Sequence, residues 1–362
     1  KAARELGLPV TLTQTSELPF PIKGAVSYAN HAHFHPRKYL LGLIPSILAN
    51  GGIILENTRA LDVSDGTQCT VETDKGNITA GKVIVATHFP FLNRGQYFAR
   101  MFPYRSYALA ARIRGPVPQG MYYSTEPSVR STRPLTAEEG DRLLVTGGYH
   151  KPGHVEDTIQ AYKIVETYIR ERFDLDAEVE YCWSTQDNET LDRVPYIGEF
   201  TARSRNLYCA TGFGGWGMTG GTVSAMILSD LVLGRENAWR GLFTPSRFDT
   251  ASIKTLVTEN LDVGKHYFGD WVSAKRFSPE EVAPGESKVF KHGLEHVAVS
   301  RDEENRLTAV SGKCTHLGCL VKWNNAEESW DCPCHGSRFS RDGKLLHGPA
   351  VKDLEEKGED LG

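Results

Sequence analysis

Two short segments near the C-terminal end carry residues whose types and spacing could bind metal. Cys314-Thr315-His316-Leu317-Gly318-Cys319 is followed by Cys332-Pro333-Cys334-His335-Gly336-Ser337. Each supplies one Cys and one His: Cys314 with His316, and Cys332 with His335. Two thiolates on one iron and two imidazoles on the other would hold a [2Fe–2S] cluster. Exchanging two thiolates for neutral imidazoles lowers the cluster's negative charge and raises its potential. A tetrahedral zinc site of two Cys and two His would draw on the same four residues. Zinc needs no further cysteines, yet Cys319 and Cys334 lie just beyond the first pair and inside the second. Gly318, Pro333 and Gly336 suit tight loops whose backbone N–H groups point at sulfur.

These loops resemble those of Rieske [2Fe–2S] proteins, over roughly residues 276–362. The resemblance implies Cys314 and Cys332 on one iron and His316 and His335 on the other. It also implies a disulfide between Cys319 and Cys334, as in the Rieske proteins of respiratory and photosynthetic cytochrome complexes. Ser337 stands where a hydroxyl can donate to a cluster sulfide. Two residues on, where high-potential members carry Tyr, this chain has Phe339. Phe cannot donate, so the reduced cluster is less stabilised. His347-Gly348-Pro349-Ala350 is similar to the proline loop that covers the cluster in that family.

A chain of 362 residues is long enough for two or three domains. Its 41 Lys+Arg nearly balance 45 Asp+Glu, which gives no reason to expect nucleic acid or an acidic membrane as partner. No apolar run reaches membrane-spanning length; Val223–Leu233 is interrupted by Ser and Asp. Cys69, Cys182 and Cys209 are scattered and read as plain buried or half-buried thiols.

Several elements must position these residues. Leu40, Leu41, Ile44, Ile47 and Leu48 recur at helical spacing over Arg37–Asn50, and Gly51-Gly52 ends the run. Ile53–Glu56 reads as a strand, and Asp74-Lys75-Gly76-Asn77 as the turn of a hairpin. Lys82–Thr87 is a short apolar run of the kind found in buried parallel strands. Tyr104–Arg114, Arg142–Gly147 and Val179–Trp183 read as strands, and Val155–Phe173 as an amphipathic helix. Ile253–Trp271 is a connecting helix, and Val289–Ser300 and Leu307–Lys313 are strands of a small β domain.

The second chemical signal is Asn206–Gly221, "NLYCATGFGGWGMTGG", in which a short buried strand runs into glycines and then a helix, Thr222–Leu233. Glycines let the backbone approach a flat ligand, and a helix start offers unpaired N–H groups and the positive end of a dipole. The alternative is a turn that only packs the helix on a sheet.

Trp183-Ser184-Thr185-Gln186, then Asp192-Arg193-Val194-Pro195-Tyr196-Ile197-Gly198, then this loop resemble the C-terminal half of the glycine oxidase and D-amino-acid oxidase family of FAD enzymes. "KVIVATH" and "FHPRKYLLGL" fit in order, and the resemblance covers about residues 20–245. It implies that Ala60 contacts adenine and that Ala86 and Thr87 line the FAD cleft. It further implies that Asp192, Pro195 and Gly198 shape the loop by the flavin. Gly212, Phe213, Gly214, Gly215, Trp216, Gly217, Met218 and Thr219 would contact the isoalloxazine ring. Tyr149 and His150, at a strand end, are candidate catalytic residues facing the flavin; the alternative is a plain loop histidine. The family's G-x-G-x-x-G is expected upstream of Lys1. On that reading the chain holds FAD weakly and exposes Val83–Ala86 and Tyr208–Ala210 on one flank.

One departure matters. Amino-acid oxidases of this family place an Arg-Pro pair just before the Asp-x-x-Pro motif, and that Arg binds the substrate carboxylate. This chain has Trp183-Ser184-Thr185-Gln186-Asp187, which puts an α-amino-acid substrate in doubt. Arg105, Arg112 and Arg193 read as surface or sheet-edge arginines that could substitute. His31, His33 and His35 lack a nearby Cys or carboxylate and read as no metal site.

The expected fold is α/β plus all-β. A partial Rossmann-like FAD domain with an antiparallel substrate-domain sheet fills residues 1–250, a linker 251–275, and a small β Rieske domain 276–362. The expected function is an oxidoreductase passing electrons from a small organic donor through FAD to the cluster. The acceptor would be a redox protein or a quinone-like molecule, and the location the cytoplasm. The alternative is an electron-transfer module without its own organic substrate. An oxygenase would need a mononuclear iron held by two His and a carboxylate, and no convincing triad is present.

Overall fold

Turn residues and hydrophobic spacing account for most of the elements. The computed structural model describes residues 1–126, 129–136, 140–247, 252–276 and 281–357, with backbone only at 265–270, 272 and 273. From the N-terminus come α1 (Ala2–Glu5), β1 (Val10–Thr13), β2 (Ala25–Tyr28) and α2 (Pro36–Ala49). Next are β3 (Ala60–Ser64), β4 (Cys69–Thr73), β5 (Gly76–Ala80) and β6 (Val83–Val85). The middle holds β7 (Met101–Arg112), β8 (Tyr122–Tyr123), β9 (Ser131–Leu135), β10 (Arg142–His150), α3 (Ile159–Arg172) and β11 (Glu178–Thr190). Then follow β12 (Tyr196–Glu199), β13 (Leu207–Thr211), α4 (Gly217–Val232), α5 (Arg240–Phe243) and α6 (Ile253–Ser273). The last strands are β14 (Ser287–His292), β15 (Glu295–Arg301), β16 (Leu307–Ser311) and β17 (Lys322–Asn324), then β18 (Ser329–Asp331), β19 (Arg338–Ser340) and β20 (Leu345–His347). The expected boundary at residues 250 and 251 lies outside the described residues.

The chain divides into two compact units. The first comprises Lys1–Glu56, Ser106–Tyr149 and Gln160–Thr185. Its main sheet has strand order β11-β7-β10-β9-β8. Helix α3 spaces Ala161, Val165 and Ile169 at i, i+4 and i+8, and packs them on Tyr107, Leu109, Leu143 and Val145. Full burial of Val165 and of Ile169 stabilises the fold by about 1.5–3 kcal/mol each. The His35 Nδ1 caps α2 by accepting the Lys38 N–H at 3.3 Å. That role explains one of the three clustered histidines without a metal. Ile53–Glu56, expected as a strand, has no strand partner among the described residues and runs as exposed irregular chain.

The second unit comprises Asn57–Arg105, His150–Ile159 and Gln186–Gly362. Here β4 pairs with β3 and β5 around the expected Asp74–Lys75 turn. Strand β13 pairs antiparallel with β12 and parallel with β6, with Cys209 opposite Val85. Ile227, Leu228 and Leu231 of α4 cover Ile197, Tyr208 and Ala210 on one face. Tyr97, Phe200, Leu207 and Cys209 pack together on the other. The expectation that Tyr208–Ala210 would be exposed is therefore wrong, because α4 and the Tyr97 cluster cover them. β6 is an edge strand of this sheet, with Ile84 44% exposed. The rest of the unit is a small all-β assembly. Its two sheets are β14-β15-β16 and β17-β18-β19-β20, with a core that includes Val310, Val321, Trp330 and Phe339. The architecture is thus α/β followed by all-β, as the sequence led us to expect.

Candidate redox centre

The two Cys–His segments fold as near-identical turns. The Cys314 N–H donates to the Cys319 carbonyl at 2.8 Å, and the Gly318 N–H returns to the Cys314 carbonyl at 2.9 Å. In the second turn, Cys332 N–H reaches the Ser337 carbonyl at 2.8 Å and Gly336 N–H the Cys332 carbonyl at 3.0 Å. Gly318 and Gly336 close them at φ +80° and +77°, where a side chain would be strained. Cys319 and Cys334 clamp the turns by a disulfide, with Cα atoms 6.5 Å apart. The sulfurs of Cys319, Cys332 and Cys334 lie within 4.8 Å of one another, but two of them are committed to that bond.

This leaves Cys314, His316, Cys332 and His335 as the donor set. The imidazole rings are 5.0 Å apart. Both Nδ1 atoms are buried without a hydrogen-bond partner among the described residues. Burial pushes the two imidazoles down to about 4 and about 3, which keeps them neutral as metal ligation requires. The Cys332 thiol, the backbone N–H groups of His316 and Leu317 and the Ser337 hydroxyl all favour thiolate at Cys314 and hold it below the usual thiol range. Two orphaned nitrogens and a stabilised thiolate in paired turns fit a metal centre. Ser337 also accepts the Ala350 N–H at 3.0 Å, which ties the proline loop to the second turn. Phe339 is fully buried and donates nothing to sulfur.

The glycine loop lies in the same unit. β6 and β13 are parallel, so Ala86 and Thr87 leave the sheet at the end where β13 enters Gly212. This end of parallel strands is where α/β folds bind ligands. The Thr211 hydroxyl donates to the His88 carbonyl at 2.5 Å and joins the two exits. Gly212, Gly214 and Gly215 have φ of +76°, +53° and +86°. A Cβ on Gly212 would stand 2.4 Å from Thr190 Cγ2. Helix α4 starts at Gly217 without a side-chain cap, so no N-cap side chain satisfies its first N–H groups. The glycine loop is therefore shorter than expected, and its last residues belong to the helix. The arrangement suits the anionic edge of a flat ring.

Strand β11 runs between the two features. The Gly214 N–H donates to the Asn188 carbonyl at 3.0 Å, and the Asp187 carboxylate accepts from the Gly215 N–H. Two residues before Asn188, the buried Gln186 Nε2 donates to the Gly336 carbonyl at 3.0 Å. Burial raises the Asp187 pKa, against the opposing pull of His88 and the Gly215 N–H. Burial lowers that of His88, whose ring lies 5.4 Å from that of His347.

An FAD dependent oxidoreductase family matches residues 1–231, and the Rieske [2Fe-2S] domain family matches residues 272–357. The chain belongs to the FAD-dependent oxidoreductases. It carries a C-terminal Rieske domain, and its cofactors are FAD and a [2Fe–2S] cluster. It is 37% identical over 360 residues to a protein of Bacillus subtilis, the putative Rieske 2Fe-2S iron-sulfur protein YhfW; the match spans 98% of this chain and 70% of that one. The iron-sulfur subunit of the cytochrome b6-f complex of Chlorobaculum thiosulfatiphilum is 42% identical over 76 residues, 21% of this chain and 41% of the subunit. Among solved structures, glycine oxidase from Geobacillus kaustophilus shares the fold at TM-score 0.56 and 18% identity, over 68% of this chain and 69% of that one.

Other flavin-side candidates of this oxidoreductase fall in several places. Ala60 opens β3 opposite Thr73. Asp192 holds Arg247 through two oxygens at 2.6 and 2.7 Å, and the Pro195 carbonyl accepts from the same guanidinium at 3.1 Å. Gly198 packs near Pro245. Phe213 lies on Gly220, Met218 and Thr219 form the first turn of α4, and Trp216 is 70% exposed. Tyr149 is exposed in the first unit. In the second, His150 sits by the Lys151 carbonyl at 2.8 Å, within the fields of Arg105 and Asp331.

The three arginines differ from their sequence reading. Arg105 is only 1% exposed and holds Glu327 at 2.8 Å, so it is neither a surface nor a sheet-edge residue. Arg112 pairs with Glu180, and the exposed Arg193 with Glu189. Cys182 is exposed rather than buried. Sequence reading missed Gln186, His88 and Asn93 as neighbours of the centre, since their role depends on which strands meet. The histidine in "KVIVATH" was the one available signal.

Proposed function

We propose that this oxidoreductase draws electrons from a small organic donor at its flavin side and delivers them to the cluster within the same chain. The observation that carries this reading is the Gln186–Gly336 hydrogen bond, which ties β11, beside the glycine loop, to the second cluster turn. When bound, FAD takes up a hydride, and the cluster takes single electrons from it. Cys314 and Cys332 would ligate one iron, and His316 and His335 the other, through their unpaired Nδ1 atoms. The backbone of Gly212–Thr219 would hold the isoalloxazine ring, with Ala60, Ala86 and Thr87 toward the adenine end. Asp192, Pro195 and Gly198, braced by Arg247, would fix the adjoining loop. Asp187, whose pKa burial raises, would be the group that holds a proton beside the glycine loop. Tyr149 and His150 remain candidates for handling the donor. The oxidoreductase region would run to residue 250 and the Rieske domain from 276.

Gln186 stands in the segment where amino-acid oxidases carry their carboxylate-binding Arg, and its amide N–H is committed to Gly336. Arg105, Arg112 and Arg193 are each engaged by a carboxylate. We therefore assign a donor whose recognition does not depend on that clamp. The final acceptor would be a redox protein or a quinone-like molecule.

The test is anaerobic mixing of FAD- and iron-loaded protein with a panel of amines and hydroxy acids, following flavin bleaching and cluster reduction together. Reduction of both by one donor class is the expected result. Reduction only by a chemical reductant or a protein partner would replace this reading with an electron-transfer module. In the Gln186→Leu variant, cluster reduction should lag flavin bleaching.

A further inference from the structure

We propose that Asn93 is a positioning residue that holds His316 in its metal-binding tautomer and, from the oxidoreductase half of the chain, sets the potential of the cluster. The inference rests on the assignment of His316 as a ligand. The His316 Nε2 lies 2.9 Å from Asn93 Oδ1. If Asn93 presents its oxygen, Nε2 carries the proton and Nδ1 is bare, free to ligate. If the amide were flipped, Nε2 would accept and the proton would sit on Nδ1. That atom is buried and has no partner among the described residues, so the flipped form strands a donor. The orphaned Nδ1 thus decides the orientation of the amide.

The turn that carries the exposed Asn93 is itself fixed. Asn93 opens this single 3-10 turn, Asn93–Gly95, between β6 and β7. Leu92 before it is buried with Phe89, Tyr97 and Phe200. Gly95 after it has no room for a side chain: a Cβ would lie 2.3 Å from the Tyr97 ring and 2.8 Å from that of Phe200. The Arg94 guanidinium bonds the Val63 carbonyl. Phe98 on the following turn packs edge-on against both ligand imidazoles, at 6.3 Å from His316 and 5.7 Å from His335. The imidazole edge of the cluster is thereby covered by residues of the oxidoreductase half. An acceptor on the distal N–H pushes electron density into the ring and strengthens Nδ1 as a donor, which favours the oxidised cluster. The potential is accordingly lower with Asn93 in place.

The experiment compares fully loaded parent, Asn93→Leu and Asn93→Gln proteins by spectroelectrochemistry and pulsed EPR of the ligating nitrogens. Asn93→Leu should raise the cluster potential and change the coupling of one of the two imidazoles. Asn93→Gln should restore the parent's values at least in part. A loaded Asn93→Leu protein with the parent's potential and couplings overturns the inference. If Asn93→Leu takes up no cluster, Asn93→Gln decides: a cluster at the parent's potential supports the role, and any other result overturns it. An unaltered protein lacking iron, sulfide and a Rieske signal would instead refute the ligand assignment, and the inference with it.

Discussion

His316 and His335 each bury an Nδ1 atom with no partner among the described residues, at a cost of about 1–3 kcal/mol apiece unless a metal takes the lone pair. His316→Cys would replace a neutral donor by a thiolate and add negative charge at the cluster. We expect a lower potential and a spectrum nearer that of an all-cysteine cluster, read by spectroelectrochemistry. An unchanged potential in loaded protein would exclude His316 as a ligand. Asp192 makes a different kind of argument. Burial raises its pKa, but Arg247, the Val194 N–H and the Thr190 hydroxyl outweigh burial and bring it below the usual carboxylate value. The folded protein then binds fewer protons than the unfolded chain between those two values. Stability from Asp192 is complete above the unfolded pKa of about 3.9 and is lost as pH falls through the folded one. Asp192→Ala should cost about 3 kcal/mol near neutral pH, because it leaves a largely buried guanidinium unpaired. Asp192→Asn should flatten the acid limb of a thermal-stability profile; an unaltered limb would count against the pair.

Among the elements, the strand–loop–helix of β13 and α4 separates space from conformation. Gly212 and Gly215 both have positive φ, but a Cβ on Gly212 meets Thr190 at 2.4 Å, and one on Gly215 only Asp187 at 3.9 Å. Gly215→Ala should cost about 1–2 kcal/mol of left-handed strain, and Gly212→Ala clearly more, with lower FAD content per chain. Equal melting temperatures for the two variants would contradict this reading of the loop. The helices α2 and α3 were legible from spacing, because an apolar stripe repeats every turn. Ile53–Glu56 was not, since a strand exists only if another pairs with it, and pairing is not local.

Across the second unit, a polar network joins β7 to the Rieske domain. Arg105 holds Glu327, Glu327 also takes Arg338, and Arg338 reaches Asp331, the residue before Cys332. The Thr158 hydroxyl bonds Asn324 at 2.6 Å and Asn325 at 2.7 Å. Glu327 keeps Arg338 when Arg105 is removed, so Arg105→Ala loses one charged hydrogen bond and should destabilise the protein by about 1.5–3 kcal/mol. A double-mutant cycle with Glu327→Gln should return a coupling energy well above the 0.3–0.5 kcal/mol error typical of additive sites. Additive effects would mean that the network does not couple the halves. No helix among the described residues is long and apolar enough to cross a membrane.

The sequence by itself determined the cluster turns, the disulfide partners implied by their family and the glycine loop, because each is short-range. In them, residue type and spacing of a few positions dictate both the turn and its chemistry. Tertiary structure alone decided what faces those turns. Gln186, Asn93 and Arg105 are distant in sequence from Gly336, His316 and Glu327, and nothing local marks an amide or guanidinium as theirs. A buried arginine and a surface one have the same covalent structure, and only the packed chain shows which charge lies opposite. The same holds for Tyr208–Ala210, buried once α4 folds back over the strand that precedes it.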